Sequence, residues 1–561
     1  MTGSVDGPIS RRRRAFDRAT SLLVATAGAA VLGTILLMLA YLLWEVLPLA
    51  AGASLSYSHS VPAADLTQRP GVGPRPVDDQ RLTALRSAGL DPTRVRASVL
   101  LPGERSLVVA RDDGRLVHYG RVREGAAYRW RPLRRLDTGG LPVRRLLVEP
   151  RRRVLFALAD GGRLQLWHLT AARRLLATTL PRAGAWDAAR VSSDGTRLSV
   201  RRGDRIHYWR ISNPHPEVSW HSLWQAVWYP DYEEPRYLWQ SAAAGPGDEP
   251  KLSLAPLAVG TFKAALYSMV LAAPLGIAAA VYTAYFLARP LRRLFKPGIE
   301  LMEALPTVVL GFLAGLWLAP RVEDALAGVV LAPLALLGGV LLAAMLWSRL
   351  PRGLRRRLPP GIRPLILLPV VIAVPWLTVA GSDRLEDWFF AGDLPAFLLA
   401  EFGLAYEQRN ALVIGIAMGF AVLPTVFSLA EDAVFSVPRS LSDGSLALGA
   451  TRWQTLAGVV LPTASPGIIS ALMIGFGRAI GETMIVLMAS GNTPIMSWDP
   501  LSGMRSLSAN IVMEAPEAIV GSTHFRVLFL AALLLFGFTF VVNTVAELVR
   551  QRLRYRYAAL R

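Results

Sequence analysis

Pro466-Gly467-Ile468-Ile469-Ser470-Ala471-Leu472-Met473-Ile474-Gly475-Phe476-Gly477-Arg478-Ala479-Ile480-Gly481-Glu482-Thr483-Met484-Ile485-Val486-Leu487-Met488-Ala489 is an apolar run interrupted by two charges, Arg478 and Glu482. At about 1.5 Å of rise per residue, a helix of this length crosses the roughly 30 Å hydrocarbon layer of a bilayer. Four residues separate the two charges, so one continuous helix puts them on one face as a pair. A charge at membrane depth costs about 2.5–3.5 kcal/mol and usually faces a bundle interior or a water-filled path. Gly475, Gly477 and Gly481 let another helix approach beside them. The bland alternative is an ion pair that only locks two helices.

Seven more runs of this kind flank it. The eight candidate spans are 21–49, 259–286, 303–320, 325–347, 362–381, 410–429, 466–489 and 526–549. Arginine placement supports the number eight. Arg11, Arg12, Arg13, Arg14 and Arg18 precede the first span; Arg289, Arg292, Arg293 and Lys296 follow the second. Arg349, Arg352, Arg355, Arg356 and Arg357 follow the fourth, and Arg550, Arg552, Arg554, Arg556 and Arg561 follow the last. The short loops on the other side hold single arginines: Arg321, Arg384, Arg409 and Arg505. With eight spans, all basic loops fall on one face, the cytoplasmic one. One span more or fewer breaks the agreement. The prolines Pro333, Pro364, Pro369 and Pro375 interrupt spans four and five.

The chain has 561 residues, 52% of them hydrophobic, and a net charge of +20. Its basic residues sit at the ends of apolar segments, which speaks against nucleic acid as the partner and for membrane lipid. The absence of cysteine excludes disulfides, thiolate metal sites and a cysteine nucleophile. The first apolar run is too long for a signal-peptide core and reads as an uncleaved anchor. His118, His207, His215 and His221 lack metal-ligand spacing, so no metal or cofactor is expected.

Residues 50–250 are read as a β-rich domain on the outer, periplasmic side. Gly114-Arg115-Leu116-Val117-His118-Tyr119 recurs as Gly162-Arg163-Leu164-Gln165-Leu166-Trp167 and as Asp204-Arg205-Ile206-His207-Tyr208-Trp209. Each copy follows a short β-prone run and a turn signal, which is hairpin punctuation with a period of about 40 to 50 residues. Propeller-like blades and a β-sandwich are the open alternatives. Trp220, Trp224, Trp228, Tyr229, Tyr232, Tyr237 and Trp239 read as a belt at the membrane boundary, or as a docking surface.

The loop between spans six and seven, 440–465, holds Asp443-Gly444-Ser445, then Gly449-Ala450-Thr451-Arg452-Trp453, then Leu461-Pro462. Two short helices broken at Gly449 are expected, the second ending at Leu461-Pro462, where proline cannot continue it. This stretch resembles the EAA loop of ABC importer permeases, the element that fits a cleft on the ATPase subunit. Asp443-Gly444-Ser445 stands where that family has Glu-Ala-Ala; Gly449 and Leu461-Pro462 match in position. The resemblance makes Asp443, Gly449, Arg452, Trp453, Leu461 and Pro462 the expected ATPase-coupling residues.

Gly477-Arg478-Ala479-Ile480-Gly481-Glu482-Thr483-Met484, followed by Ala489-Ser490-Gly491-Asn492, closely resembles the signature of phosphate importer permeases of the PstC type. Gly260-Thr261-Phe262, Ala272-Ala273-Pro274-Leu275-Gly276-Ile277 and Glu300-Leu301-Met302-Glu303-Ala304-Leu305-Pro306-Thr307-Val308-Val309-Leu310-Gly311 extend it. The resemblance covers about 258–320 and 410–550. It implies an all-α polytopic membrane protein with the type I ABC importer permease fold, here carrying an inserted mainly-β domain. The expected layout is a basic cytoplasmic N-terminus 1–20, a first helix 21–49, the β domain 50–250, a permease domain 251–549 and a basic cytoplasmic tail 550–561. Arg478, Gly481, Glu482 and Thr483 are then expected along the substrate pathway. The implied partners are a second permease of the PstA type, an ATPase dimer and a periplasmic phosphate-binding protein. No Gly-x-x-x-x-Gly-Lys-Ser/Thr loop occurs, so the chain is not expected to be an enzyme. The expected location is the bacterial inner membrane, both termini in the cytoplasm. Permeases for sulfate or molybdate, and a membrane-anchored sensor with a ligand-binding outer domain, are the competing readings.

Overall fold

A computed structural model describes residues 8–63, 79–91, 95–149, 152–182, 184, 186–192, 194–242, 248–349 and 367–558. Arg352, Arg355, Arg356 and Arg357, the first residues of the expected fifth span and Arg561 lie outside them. Helix α1 (Pro8–Val46) leads into strand β1 (Ser54–Pro62). After α2 (Asp79–Ser87) come β2 (Val95–Leu100), β3 (Ser106–Arg111), β4 (Arg115–Glu124) and β5 (Ala127–Asp137), then β6 (Val143–Val148), β7 (Val154–Ala159), β8 (Arg163–His168) and β9 (Arg173–Thr179). Strands β10 (Ala188–Val191), β11 (Arg197–Arg202) and β12 (Arg205–Ser212) complete the β domain.

Each copy of the repeat is the second strand of a tight hairpin: β3–β4, β7–β8 and β11–β12. The strands form three four-stranded antiparallel sheets, ordered β2-β3-β4-β5, β6-β7-β8-β9 and β1-β12-β11-β10. The sheets stack. Strand β7 is buried along its whole length, and its side chains alternate between two cores, as a strand's period of two requires. Val154, Phe156 and Leu158 join Leu198, Val200 and Trp209 on one side. Leu155, Ala157 and Ala159 join Val108, Leu116 and Leu136 on the other. The middle sheet is thus packed on both faces, an arrangement of three layers and not the two of a simple sandwich. The distant strand β1 pairs with β12, setting Ser54 opposite Ser212, so the chain enters and leaves the domain side by side.

His168 lies between these layers, 2% exposed, and its Nδ1 accepts from the Ala171 N–H at 3.1 Å. Burial holds its pKa down to about 4; the Arg134 and Arg153 charges act in the same direction and Glu249 opposes them. The unfolded chain takes up this proton near the ordinary value of about 6.5 and the folded domain does not, so stability falls as pH drops from about 6.5 to about 4. The loss from this one group is on the order of 3 kcal/mol. Protection factors for amide exchange in β7 and β8 of the full chain, corrected for the intrinsic slowing of exchange at lower pH, should fall over that window, and His168→Gln should reduce the fall.

A polar and aromatic seam joins this domain to the helices. It holds α3 (Trp220–Trp224) and the short pair β13 (Trp239–Gln240) and β14 (Lys251–Leu252). The aromatic stretch expected as a membrane belt serves largely as packing here. Leu223 and Trp239 join Leu254, Leu257, Leu507, Val527 and Leu528 in one cluster, and Trp239 Nε1 donates to Glu514 at 2.8 Å. Trp220 stays open to the surroundings at 73% exposure.

The helical part begins with α4 (Ala255–Val281), α5 (Arg289–Leu301), α6 (Thr307–Leu313), α7 (Ala319–Asp324) and α8 (Leu326–Arg349). It continues with α9 (Leu368–Ala380), α10 (Ser382–Phe389), α11 (Leu394–Phe402), α12 (Ala411–Phe435), α13 (Arg439–Ala447) and α14 (Arg452–Thr455). The last helices are α15 (Leu461–Gly481), α16 (Met484–Ala489), α17 (Leu507–Glu514) and α18 (Thr523–Ala558). Among the described residues, six helices are long and apolar enough to cross a membrane, or up to eight if each bent pair counts as one span. One bent pair, Pro290–Ala304 with Thr307–Asp324, turns by 82° and contains the expected third span. The other, Leu368–Ala380 with Ser382–Phe402, turns by 61° at the expected fifth. Helix α9 ends at Ala380 because Gly381 and Ser382 start a new direction where the apolar run gives way to Asp383 and Arg384.

Helix α12 is the centre of the bundle, with Val413, Ile414, Met418, Val422 and Val426 all buried. Small residues set the spacing around it. A Cβ on Gly311 would stand 2.7 Å from the Met484 carbonyl oxygen, and one on Gly315 2.5 Å from that of Met488. One face of the α6 segment therefore lies directly on the backbone of α16.

Candidate functional site

The apolar run 466–489 does not form one helix. Helix α15 stops at Gly481, Glu482 turns extended (φ −68°, ψ 127°), and α16 starts at Met484. The Glu482 carboxylate accepts from the backbone N–H groups of Thr483 and Met484, both at 3.1 Å, and so satisfies donors that a new helix start leaves open. Thr483 Oγ1 donates to the Gly481 carbonyl at 3.2 Å, and Ser508 Oγ donates to that of Glu482 at 3.2 Å. The expected pairing of Arg478 with Glu482 is therefore replaced: the break turns Glu482 away to cap α16.

Arg478 pairs instead with Glu303 and also donates to Thr425 Oγ1. Thr425 in turn donates to Glu303 at 3.2 Å. Glu303 lies in a single 3-10 turn, Met302–Ala304, at the 82° bend, while Thr425 and Arg478 come from α12 and α15. Three segments distant in sequence thus converge on one cation. The triad is not sealed, since the side chains of Arg478 and Glu303 are 33% and 44% exposed.

This triad is the last rung of a ladder between α5 and α12. Glu300 accepts from Ser428 Oγ at 3.4 Å. Lys296 Nζ lies 2.9 Å from both Glu431 and Asp432, and Arg292 also pairs with Glu431. The α5 residues at 292, 296 and 300, continued by 303 in the following turn, and the α12 residues at 425, 428 and 431 follow the three-and-four spacing of facing helix surfaces. Glu431 is wholly buried between its two cations. Sequence reasoning missed Glu303, Glu300 and Thr425 as partners of the pathway. The available signal was a pair of acids three apart, leading into Pro306 and an apolar helix.

The loop 440–465 forms α13, a turn through Gly449 at φ +90°, and α14. Thr451 caps α14 and receives Gln454 in return, a capping box. Ser445 Oγ and Thr455 Oγ1, 3.0 Å apart, tie the two helices together. Asp443, Gly449, Arg452 and Trp453 are exposed, Trp453 at 67%, and so is Leu448 at the turn, at 92%. The expected stop at Leu461-Pro462 does not occur. The helix runs on from Arg452 to Gly481, through a wide turn at Leu456–Val460. Such a widened turn relieves both the missing N–H of Pro462 and the clash of its ring. Leu456, Val460, Ala464 and Val434 bury the base of the loop against Phe286 and Val437.

Long apolar helices, two bent pairs and an exposed helix–glycine–helix loop define a helical, polytopic membrane permease. The sequence profile of the family "Binding-protein-dependent transport system inner membrane component" matches residues 272–555, just over half of the chain, and the chain belongs to that family. It is therefore a multi-pass inner-membrane transport subunit. A Bacillus subtilis protein described as "Probable ABC transporter permease protein YqgH" is 25% identical over 293 residues, 52% of this chain and 70% of the relative. A Mesorhizobium japonicum protein named "Phosphate transport system permease protein PstC" is 26% identical over 307 residues, 55% of this chain and 76% of the relative. Among solved structures, a chain of an amino acid ABC transporter is 13% identical, with 53% of this chain and 92% of that one covered, at a TM-score of 0.28.

Proposed function

We propose that the chain is the permease subunit of an ATP-driven importer for inorganic phosphate. The observation that carries this reading is Arg478: a cation in the phosphate-permease-like signature, part exposed, held by groups that an oxyanion could replace. Arginine's planar fork suits a tetrahedral oxyanion, and Thr425 can donate to the same ligand. Gly481 and Thr483, at the helix break, give the pathway a backbone turn where a continuous helix would offer none. In this reading both termini and the loop 440–465 face the cytoplasm and residues 50–250 face the periplasm, as an incomplete propeller.

A second permease of the PstA type completes the pathway, and a periplasmic phosphate-binding protein delivers the anion. ATP hydrolysis falls to a separate ATPase dimer. Trp453 and Leu448 supply the exposed apolar contact for its cleft, Asp443 and Arg452 the charged rim. Gly449 permits the turn between them, and the buried base passes motion into α15 through Leu461 and Pro462. The test is labelled-phosphate uptake in cells with and without the chain, competed with sulfate. Uptake that depends on the chain and resists sulfate supports phosphate; competition by sulfate or molybdate moves the substrate to those oxyanions.

A further inference from the structure

The ladder between α5 and α12 ends on a carboxylate that occupies the cation proposed for the substrate. Glu303 and Thr425 hold Arg478 together, both charged side chains reach open space, and Glu303 stands on a one-turn hinge between two segments bent by 82°. We propose that Glu303 is the resident counter-ion of Arg478, exchanged for the transported oxyanion in each cycle. The proposal rests on the reading of Arg478 as the anion's partner.

An arginine at membrane depth needs a neutralising group when no substrate is present. Glu303 fills that role without becoming a permanent lock, since it is neither buried nor part of a regular helix. An incoming oxyanion presents oxygens to the same guanidinium fork and repels the carboxylate beside it. Thr425 can turn its hydroxyl from one acceptor to the other. The short turn Met302–Ala304 lets Glu303 withdraw without unwinding α5 or α6. Lys296 and Arg292 keep α5 attached to α12 meanwhile, on the side where Arg439 of α13 approaches Arg292 and Arg293. Return of Glu303 to Arg478 expels the anion, which satisfies the requirement that a conducted ion be bound weakly enough to leave.

The test uses the complete transporter in proteoliposomes, with labelled phosphate and ATP. Glu303→Gln keeps the size and removes the charge. Expected are normal co-purification of the ATPase, a fall in turnover of about tenfold or more, and labelled phosphate retained on the complex after ATP is exhausted. Glu303→Asp, which keeps the charge, should restore release. Wild-type turnover without retained phosphate in Glu303→Gln would overturn the exchange. So would loss of assembly in Glu303→Gln together with retained phosphate in Glu303→Asp, since the carboxylate would then be a structural tie. Arg478→Gln separates the two levels. If it transports normally, the reading of the pathway fails; if it stops transport while Glu303→Gln is normal, the exchange alone fails.

Discussion

Replacing Arg478 by glutamine is expected to lower phosphate uptake by about tenfold to 100-fold, because a hydrogen bond between a charged group and its ligand contributes about 1.5–3 kcal/mol. Arg478 donates to both Glu303 and Thr425, and a neutral amide supplies neither the charge nor the fork. Arg478→Lys keeps the charge as a point and loses the bidentate geometry, so a loss of about tenfold is expected there. Both variants should assemble, because Glu303 keeps Thr425 as a partner and its own exposure to water. The measurement is initial uptake rate divided by the amount of complex that co-purifies with the ATPase. Undiminished uptake by Arg478→Gln would remove this residue from the pathway.

A second large effect belongs to a residue that meets no substrate. Glu431 is wholly buried and neutralises both Arg292 and Lys296. Glu431→Ala takes from Arg292 its buried carboxylate and leaves Lys296 only the more exposed Asp432 and Glu300, and breaking a buried pair from one side costs about 3–5 kcal/mol. Its neighbour Asp432 pairs with the same lysine but is 65% exposed. Asp432→Ala should therefore cost less than about 1 kcal/mol, as surface pairs do. Thermal unfolding of the purified complex in detergent checks both. Equal melting temperatures for the two variants would mean that burial does not set the worth of this pair.

The apolar runs and their arginine flanks made the helical part legible, because helix length and bilayer thickness are tied to each other. The hairpins were legible from Asp112-Asp113-Gly114 and Asp160-Gly161-Gly162, turn residues spaced between β-prone runs. What escaped was any feature in which two segments distant in sequence decide the outcome. A pairing of Arg478 with Glu482 follows from the sequence only if the helix is continuous. An acid and a threonine just before Met484-Ile485-Val486 can equally start a new helix, and the packing of α16 on Gly311 and Gly315 favours that start. Glu303 was visible in the sequence as part of a motif, but only the bend at 302–306 brings it to Arg478. Pro462 reads as a stop in sequence, yet a wide turn absorbs a proline that propensity alone would place at an end. The aromatic cluster at 220–239 faced the same limit: composition offered a membrane boundary, and tertiary contact made it mortar between two domains.

The pairing of Ser54 with Ser212 gives the β domain a narrow neck. Directly opposed residues of an antiparallel pair lie only about 4.5–5.5 Å apart, so the two ends of the insertion nearly touch. A few glycines could bridge them. The seam grips the domain as well, since Arg134 donates to the Trp228 carbonyl and Thr170 to Glu249, so a splice at the neck would have to replace these contacts too.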